Sequence, residues 1–467
     1  MADVSAPAPL RIEGARALIR ARVAASRTRV VVIDDDPTGT QTVHGVRVLL
    51  SWPVRVLRSL LAGGDPLFYL CTNSRSLDAR VAARVSVAVG RALRTAARRE
   101  RLTVALLSRS DSTLRGHYPI EVDSLASGLG LEPDGIIIAP AFFEAGRFTA
   151  DDVHWVERGG TVVPASETEF ARDPTFGFKS RDLRSWVEEK TRGMVRASSV
   201  LSLSLDLIRR SGPEGVARAL MEASRGQPVI VNATCYEDLE VVVLGILQAE
   251  AAGRRLVYRT AASFAKVRAG IEDRGLLTEA EMGVRGGPVL IVVGSYVEAT
   301  TRQLSRLQEA GIAEGVELHT SALERPGQLH RSWRREIEAT AGRVSALLAA
   351  GRSTVLYTSR ERRETKEFLG YGASLMAGLC DVVRRVGGKP GAIVAKGGIT
   401  SVAVARDALG VRQASVLGQV LPGVPVWRLG AGSRLADVPY VVFPGNVGGP
   451  EALVEVLERL AGAPPQE

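Results

Sequence analysis

Residues 29–40 read RVVVIDDDPTGT. The run Val30 to Ile33 is entirely β-branched, which suits a strand buried on both faces of a parallel sheet. Comparable apolar runs recur at 67–71, 103–107, 135–139, 228–232, 289–294, 353–358, 391–396, 424–429 and 440–444. Helical stretches lie between many of them, at 78–99, 212–224, 300–311 and 331–351. Short apolar strands alternating with longer helices predict an α/β fold with mostly parallel sheets flanked by helices.

The pattern is weakest over 147–196, which is rich in charge and broken by Gly159-Gly160 and Asp173-Pro174. It reads as a long excursion with small strands, lying over a site. GVRGGP (283–288) is Gly-rich and directly precedes a strong strand, so it is the expected domain boundary. The expected organisation is an N-terminal arm or helix at 1–28, an α/β domain at 29–284 and a second at 285–467. Two such lobes are expected to meet at a cleft that holds the active site.

Composition excludes several classes. The chain has 467 residues, 45% hydrophobic and 24% charged, as in a globular protein with room for two or three cores. It has no apolar run of transmembrane length, and the N-terminus lacks a signal-peptide core, so the expected location is cytoplasmic. Cys71, Cys235 and Cys380 lie too far apart in sequence for a metal motif or a disulfide framework. The net charge of +9 is mostly scattered arginine. Its denser clusters, 91–101 and 360–363, read as solvated helix faces, and aromatics are only 5%. Nucleic-acid binding is therefore not expected.

In α/β sheets, sites lie beyond the carboxyl ends of the strands. The first strand runs into Asp34, Asp35 and Asp36. One acid suffices for a helix cap or turn, so the excess points to a cation, a sugar hydroxyl or a proton acceptor, with Asp35 and Asp36 as candidates. Thr72-Asn73-Ser74-Arg75-Ser76 reads either as a helix start or as an anion site built on Arg75. SRSDSTLRGH (108–117) supplies Asp111, Ser112, Thr113 and Arg115, residues suited to an anion and polyol site. PAFFEAGR (140–147) adds Glu144 and Arg147. His44, His117 and His154 read first as structural donors.

In the second half, a strand runs into Gly294-Ser295-Tyr296. Another runs into Lys396-Gly397-Gly398-Ile399-Thr400-Ser401 and a helix at 402–409. A Gly-Gly turn opening a helix offers backbone N–H groups to nucleotide phosphates, and Thr400 or Ser401 could touch phosphate or metal. LPGVP (421–425) and FPGNVGG (443–449), with Gly423, Gly445 and Asn446, are loops whose glycines let backbone approach a ligand. There is no P-loop, no complete G-x-G-x-x-G, no H-E-x-x-H and no G-x-S-x-G. Ser263-Phe-Ala-Lys266 matches S-x-x-K by chance, without its companion motifs.

The ordered set DDPTGT (35–40), SRSDSTLRGH (108–117), APAFFEAGR (139–147), VVGSY (292–296), GGITS (397–401), PGVP (422–425) and PGNVGG (444–449) resembles the four-carbon acid sugar kinase family. The family phosphorylates threonate, erythronate and their oxo-derivatives with ATP. The resemblance implies an acid-sugar site in the first domain with Asp35, Arg75, Asp111 and Arg115. It implies an ATP site in the second domain with Ser295, Gly397, Gly398, Ile399, Thr400, Gly423 and Gly445. ATP and Mg2+ are the implied cofactors, and an acid sugar is the implied partner. A homodimer is a candidate assembly; no membrane partner is expected. The rival readings are a lyase or dehydrogenase acting on a hydroxy acid, and a nucleic-acid-binding regulator.

Overall fold

The computed structural model describes residues 6–323, 331–359 and 368–461. The arginine cluster at 360–363 lies outside the described residues. The chain forms two compact units, Met1–Asp273 and Arg274–Glu467.

The strands of the first unit are β1 (Thr28–Asp34), β2 (Val46–Leu49), β3 (Leu67–Cys71), β4 (Thr103–Arg109), β5 (Gly135–Ala139), β6 (Arg147–Ala150), β7 (Val153–Arg158), β8 (Thr161–Pro164), β9 (Leu201–Leu203), β10 (Gln227–Val231) and β11 (Leu256–Thr260). Eight of them form an all-parallel sheet in the order β2-β3-β1-β4-β11-β5-β10-β9. Every residue of β3, β5 and β11 is buried, which is why these strands read as unbroken apolar runs wherever no charge intervenes. The helices Ala79–Glu100 and Ile120–Leu129 pack closely where two glycines meet. A β-carbon on Gly90 would stand 2.6 Å from the Leu125 carbonyl oxygen, and one on Gly128 would stand 2.4 Å from that of Val87.

The excursion at 147–196 contains a separate antiparallel sheet, β6-β7-β8. Residues 6–28 are part of the first unit: the helix Ala15–Ala25 buries Ile19, and Arg16 donates to Glu240 at 2.5 Å and to the Ile271 carbonyl at 2.6 Å. The helix expected at 212–224 is the second of two helical segments within Leu205–Glu222, and the first was not expected. Gly212, with φ 61° and ψ −162°, is non-helical and parts the two segments just before Pro213.

The second unit contains β12 (Val289–Val293), β13 (Glu314–Leu318), β14 (Thr354–Thr358), β15 (Ala392–Lys396), β16 (Gln413–Leu421), β17 (Val424–Leu429) and β18 (Pro439–Phe443). Their order is β13-β14-β12-β15-β18-β17-β16. The first five are parallel, and β17 runs against both its neighbours. The units part at Asp273 and Arg274, ahead of the glycines expected to separate them at 284/285. Local bonds explain the earlier break. Leu277 N–H donates to the Gln419 carbonyl at 2.8 Å, and Thr278 forms a capping box with Glu281 on the short helix Glu279–Met282. Residues 274–284 are thereby fastened to the second unit.

Candidate active site

The three acids at the end of β1 divide their work. Asp36 caps the turn Pro37–Thr40, accepting from Thr38 N at 2.9 Å and Thr38 Oγ1 at 2.6 Å. The cap reading therefore holds for one acid of the three. Asp35 takes a two-pronged grip from Arg75, with Nε donating to Oδ2 at 3.0 Å and Nη2 to Oδ1. Arg75 Nη1 reaches Asp36 Oδ2 at 3.3 Å. Asp34 faces the buried Arg109, whose Nη1 lies 3.4 Å from Oδ1. Only glycine fits at position 39, since a β-carbon there would lie 2.0 Å from Asp34 Oδ2.

Burial pushes the Asp34 carboxyl up to about 8 against the pull of Arg109. Burial likewise pushes Asp35 up to about 6, with Arg75 opposing and the nearby Glu121 adding to the rise. For Asp36, burial opposes the charge, but Arg75 and the Thr38 bonds prevail and hold it below the usual carboxylate value.

Residues 74–76 form a single 3-10 turn that no side chain caps, and they do not start the helix Ala79–Glu100. Asp78 caps the following helix through Arg80 N, and the Thr72–Ser76 turn is pinned to β1 by Thr72 N to Asp34 O at 2.9 Å and Arg75 N to Asp35 O at 3.2 Å. The turn aims Arg75 at the acids.

After β4, Asp111 binds Thr113 N at 3.1 Å, Thr113 Oγ1 at 2.5 Å and Arg115 Nε at 2.5 Å. Burial disfavours its charge, but Arg75, Arg115 and Arg147 outweigh burial and hold the carboxyl far below its ordinary value. Arg147 Nη1 donates to Ser112 Oγ at 2.5 Å. Asp35, Asp36, Asp111, Arg75, Arg115, Arg147, Ser112 and Thr113 are thus joined in one network of hydrogen bonds and charge interactions.

Glu144 belongs to a different network. It accepts from Tyr236 Oη at 2.5 Å and Ser263 Oγ at 3.4 Å, and its Oε1 lies 3.7 Å from Lys266 Nζ. The S-x-x-K residues are buried partners of this acid. The histidines are structural donors. His154 Nε2 bonds the Ser112 carbonyl at 2.7 Å, His117 Nε2 that of Leu77 at 3.1 Å, and His44 Nε2 that of Glu272 at 3.1 Å. Burial lowers His154 to about 4, which keeps it neutral at ordinary pH.

In the second unit, the ends of β12, β15 and β18 bring glycines together. Gly397 has φ 108°, and a β-carbon on it would lie 2.9 Å from Ser295 Cβ and 3.3 Å from Thr400 Oγ1. One on Gly294 would lie 2.7 Å from Thr400 Oγ1, and one on Gly445 would lie 3.3 Å from Ser295 Oγ. Thr300 Oγ1 holds the Gly445 carbonyl at 3.0 Å, and Gln303 Nε2 holds the carbonyls of Val447, Gly448 and Gly449 at 3.0, 3.1 and 2.9 Å. Gly398 opens the helix Gly398–Ala403, which continues as a wider π-turn over Val404–Ala408. The helix expected at 402–409 therefore starts at the glycine itself. Ile399 and Asn446 are exposed.

Gly423 occupies the β16–β17 turn, with its N–H bonded to Gln419 Oε1 at 2.6 Å. The pairing Val426↔Val441 puts that turn at the carboxyl end of β18. Ser295, Gly397, Thr400 and Gly445 come together directly, while Gly423 belongs to a neighbouring turn whose N–H is already bonded.

Three basic residues are buried at strand ends, Arg109 closing β4, Arg259 in β11 and Lys396 closing β15; sequence reading placed Arg109 in the 108–117 cluster and Lys396 at a strand end, and missed Arg259. A basic residue at the carboxyl end of an otherwise apolar run was the available signal. Lys396 Nζ donates to the Pro444 carbonyl at 2.6 Å and lies 3.8 Å from the Phe443 ring centroid, and burial lowers its pKa to about 6.

Two family models match the chain: a Sugar-binding N-terminal domain over residues 30–268 and a Nucleotide-binding C-terminal domain over 290–453. The chain is 26% identical over 362 residues to a D-threonate kinase of Salmonella typhimurium, covering 74% of this chain and 78% of that protein. It is 26% identical over 372 residues to a D-erythronate kinase of Heliobacterium modesticaldum, covering 75% and 78%. It is 26% identical over 452 residues to a D-threonate kinase of Bordetella bronchiseptica, covering 92% and 96%. Among solved structures, a Salmonella typhimurium protein superimposes with TM-score 0.66 at 15% identity, covering 92% of this chain and 98% of that one. A Haemophilus influenzae protein does so with TM-score 0.61 at 18% identity, covering 91% and 98%. These two likenesses concern the fold. Among the described residues no helix is long and apolar enough to cross a membrane.

Proposed function

Because the chain belongs to the four-carbon acid sugar kinase family, with its sugar-binding N-terminal and nucleotide-binding C-terminal domains, we propose that it transfers the γ-phosphoryl group of ATP to a hydroxyl of a four-carbon sugar acid. The observation that carries this reading is the cluster at the ends of β1, β3 and β4. There an ionised Asp111 is outnumbered by Arg75, Arg115 and Arg147, beside a carboxyl, Asp35, poised near 6. Arg75 is paired with Asp35 and Asp36, while Arg115 and Arg147 keep N–H donors beyond their bonds to Asp111 and Ser112 that suit the substrate carboxylate. Asp35, once ionised, takes the proton from the attacking hydroxyl as the oxygen bonds to phosphorus and ADP leaves. Asp36 and Thr113 hold the turns on which Asp35 and Asp111 sit. Glu144 is proposed to act on the loop that carries Arg147, through Tyr236 and Ser263.

For the nucleotide, we assign Ser295, Gly397, Gly398, Thr400 and Gly445 to the phosphates, with Ile399, Gly423 and Asn446 at the rim. The close approach of Gly397 to Ser295 favours a bound group that meets backbone rather than side chain. Mg2+ fits as a companion of the phosphates, for which one or two protein oxygens suffice. Among the described residues no group of three or more His, Cys, Asp or Glu side chains could hold a metal ion, and Ser295 and Thr400 are the hydroxyl residues beside Gly397. When bound, the ion neutralises charge on the phosphates.

The test is ADP release from ATP over a panel of threonate, erythronate and oxo-tetronate stereoisomers. ADP formation that depends on one of these acids is expected. No acid-dependent ADP release, with NAD reduced by the same acids, would replace the kinase by a dehydrogenase.

A further inference from the structure

The turn Glu169–Arg172, which follows the antiparallel sheet of the first unit, sets one phenyl ring against three guanidinium groups. The Phe170 centroid lies 5.0 Å from Arg115 Cζ, 5.5 Å from Arg147 Cζ and 5.5 Å from Arg158 Cζ. All three distances lie within the range of cation–π attraction. Glu169 pairs with Arg158 through both of its oxygens, which engages the third cation. The other two are the arginines assigned above to the substrate carboxylate. Arg147 also lies 6.0 Å from the Phe142 centroid, so two rings flank it, and its Nε has no hydrogen-bond partner.

The turn itself is fixed. Thr168 Oγ1 donates to the Ala165 carbonyl at 2.7 Å, Phe178 N donates to that of Ala171 at 3.0 Å, and Ala171 is buried. Asp173, at its end, places Oδ2 3.7 Å from Arg115 Nη1.

We propose that Phe170 is a positioning residue for acid-sugar binding, holding Arg115 and Arg147 side by side so that the N–H donors not already bonded to Asp111, Thr113 and Ser112 serve the substrate carboxylate. The inference rests on the function proposed above. Its logic is electrostatic. Two neighbouring guanidinium groups repel, and each long side chain resists being fixed. A further carboxylate would hold them, but it would occupy their donors and repel an anionic substrate. An aromatic face attracts the cations through its quadrupole and takes no N–H bond. The excursion at 147–196 thereby supplies the ring that arranges cations carried by the loop after β4 and by β6.

The test compares wild type, Phe170→Leu and Phe170→Tyr in the full-length chain. Leu keeps an apolar side chain and loses the π face; Tyr keeps the face. Two readouts are taken. The first is the rate at which phenylglyoxal modifies Arg115 and Arg147, followed by peptide mass spectrometry without any substrate. The second is the Michaelis constant for the preferred acid and for ATP. Phe170→Leu is expected to be modified severalfold faster at both arginines. Its KM for the acid should rise about tenfold, with that for ATP within about twofold and Phe170→Tyr near wild type. Unchanged arginine reactivity in Phe170→Leu overturns the proposal. So does a variant pair in which Tyr and Leu fail alike, since packing alone would then explain the ring. If wild type turns over no acid while the arginines still respond to Phe170, the proposed function falls and the positioning of the arginines stands.

Discussion

Lys396 Nζ donates to the carbonyl oxygen of Pro444 at 2.6 Å, joining the strand that enters the Gly397-Gly398 turn to the loop that carries Gly445. The amino group is fully buried, and burial lowers its pKa to about 6. An unfolded lysine titrates near 10.4. Between those values the unfolded chain binds the extra proton, so this group's cost to stability falls as pH rises from about 6 towards 10.

Lys396→Met should remove that dependence. Urea unfolding at pH 6, 8 and 9.5 is expected to show wild type gaining on the variant as pH rises. Parallel stability curves would mean that the lysine stays charged in the folded protein. The lost bond to Pro444 should cost the variant about 1 kcal/mol at every pH.

Asp35→Asn should abolish turnover with little loss of ATP affinity, because the residue faces Arg75 in the first unit rather than the glycine cradle. Its carboxyl is raised to about 6, so its base form exists above that pH. In wild type, kcat/KM for the acid should fall about tenfold for each unit below pH 6. Turnover that is flat down to pH 5 would remove Asp35 as the proton acceptor.

Arg115→Lys keeps the charge and loses the planar fork. KM for the acid should rise roughly tenfold, the loss expected for a charge-assisted hydrogen bond. KM for ATP should hold. A variant weakened only towards ATP would move Arg115 out of the acid site.

Gly397→Ala should reduce nucleotide affinity by more than tenfold, from the positive φ and the approach to Ser295 Cβ at 2.9 Å together. Calorimetry with a non-hydrolysable ATP analogue and with the acid measures both ligands. A well-folded variant with normal nucleotide affinity would take the phosphates away from this turn.

Strands buried on both faces announced themselves, because two covered faces force a continuous apolar run, as in Val289–Val293. Edge and short strands did not. Val46–Leu49 carries Arg47, and Glu314–Leu318 alternates with two acids. β11 was hidden for a different reason: its buried Arg259 interrupts the run, a charge no strand rule anticipates. At the site, Asp35 and Arg75 stood out because strand-end polar clusters lie where ligands bind. Phe170 did not, because an aromatic in a charged loop has no sequence pattern to say that it meets three guanidinium groups. The role of Glu144 was also illegible, since it depends on Tyr236 and Ser263, which lie far along the chain.

β11 has a bearing on how the first unit comes into being. Residues 256–260 are the last strand of that sheet to be synthesised, yet they lie between β4 and β5. Until they leave the ribosome, β4 and β5 each present an unpaired edge of backbone N–H and C=O groups to the solvent. The half of the sheet that bears Asp35, Arg75 and Asp111 and the half that bears β10 are therefore sealed by one late event of long sequence separation, which makes folding slow. A nascent chain halted before residue 256 is a sticky intermediate, so chaperone capture should peak there and fall once β11 has emerged.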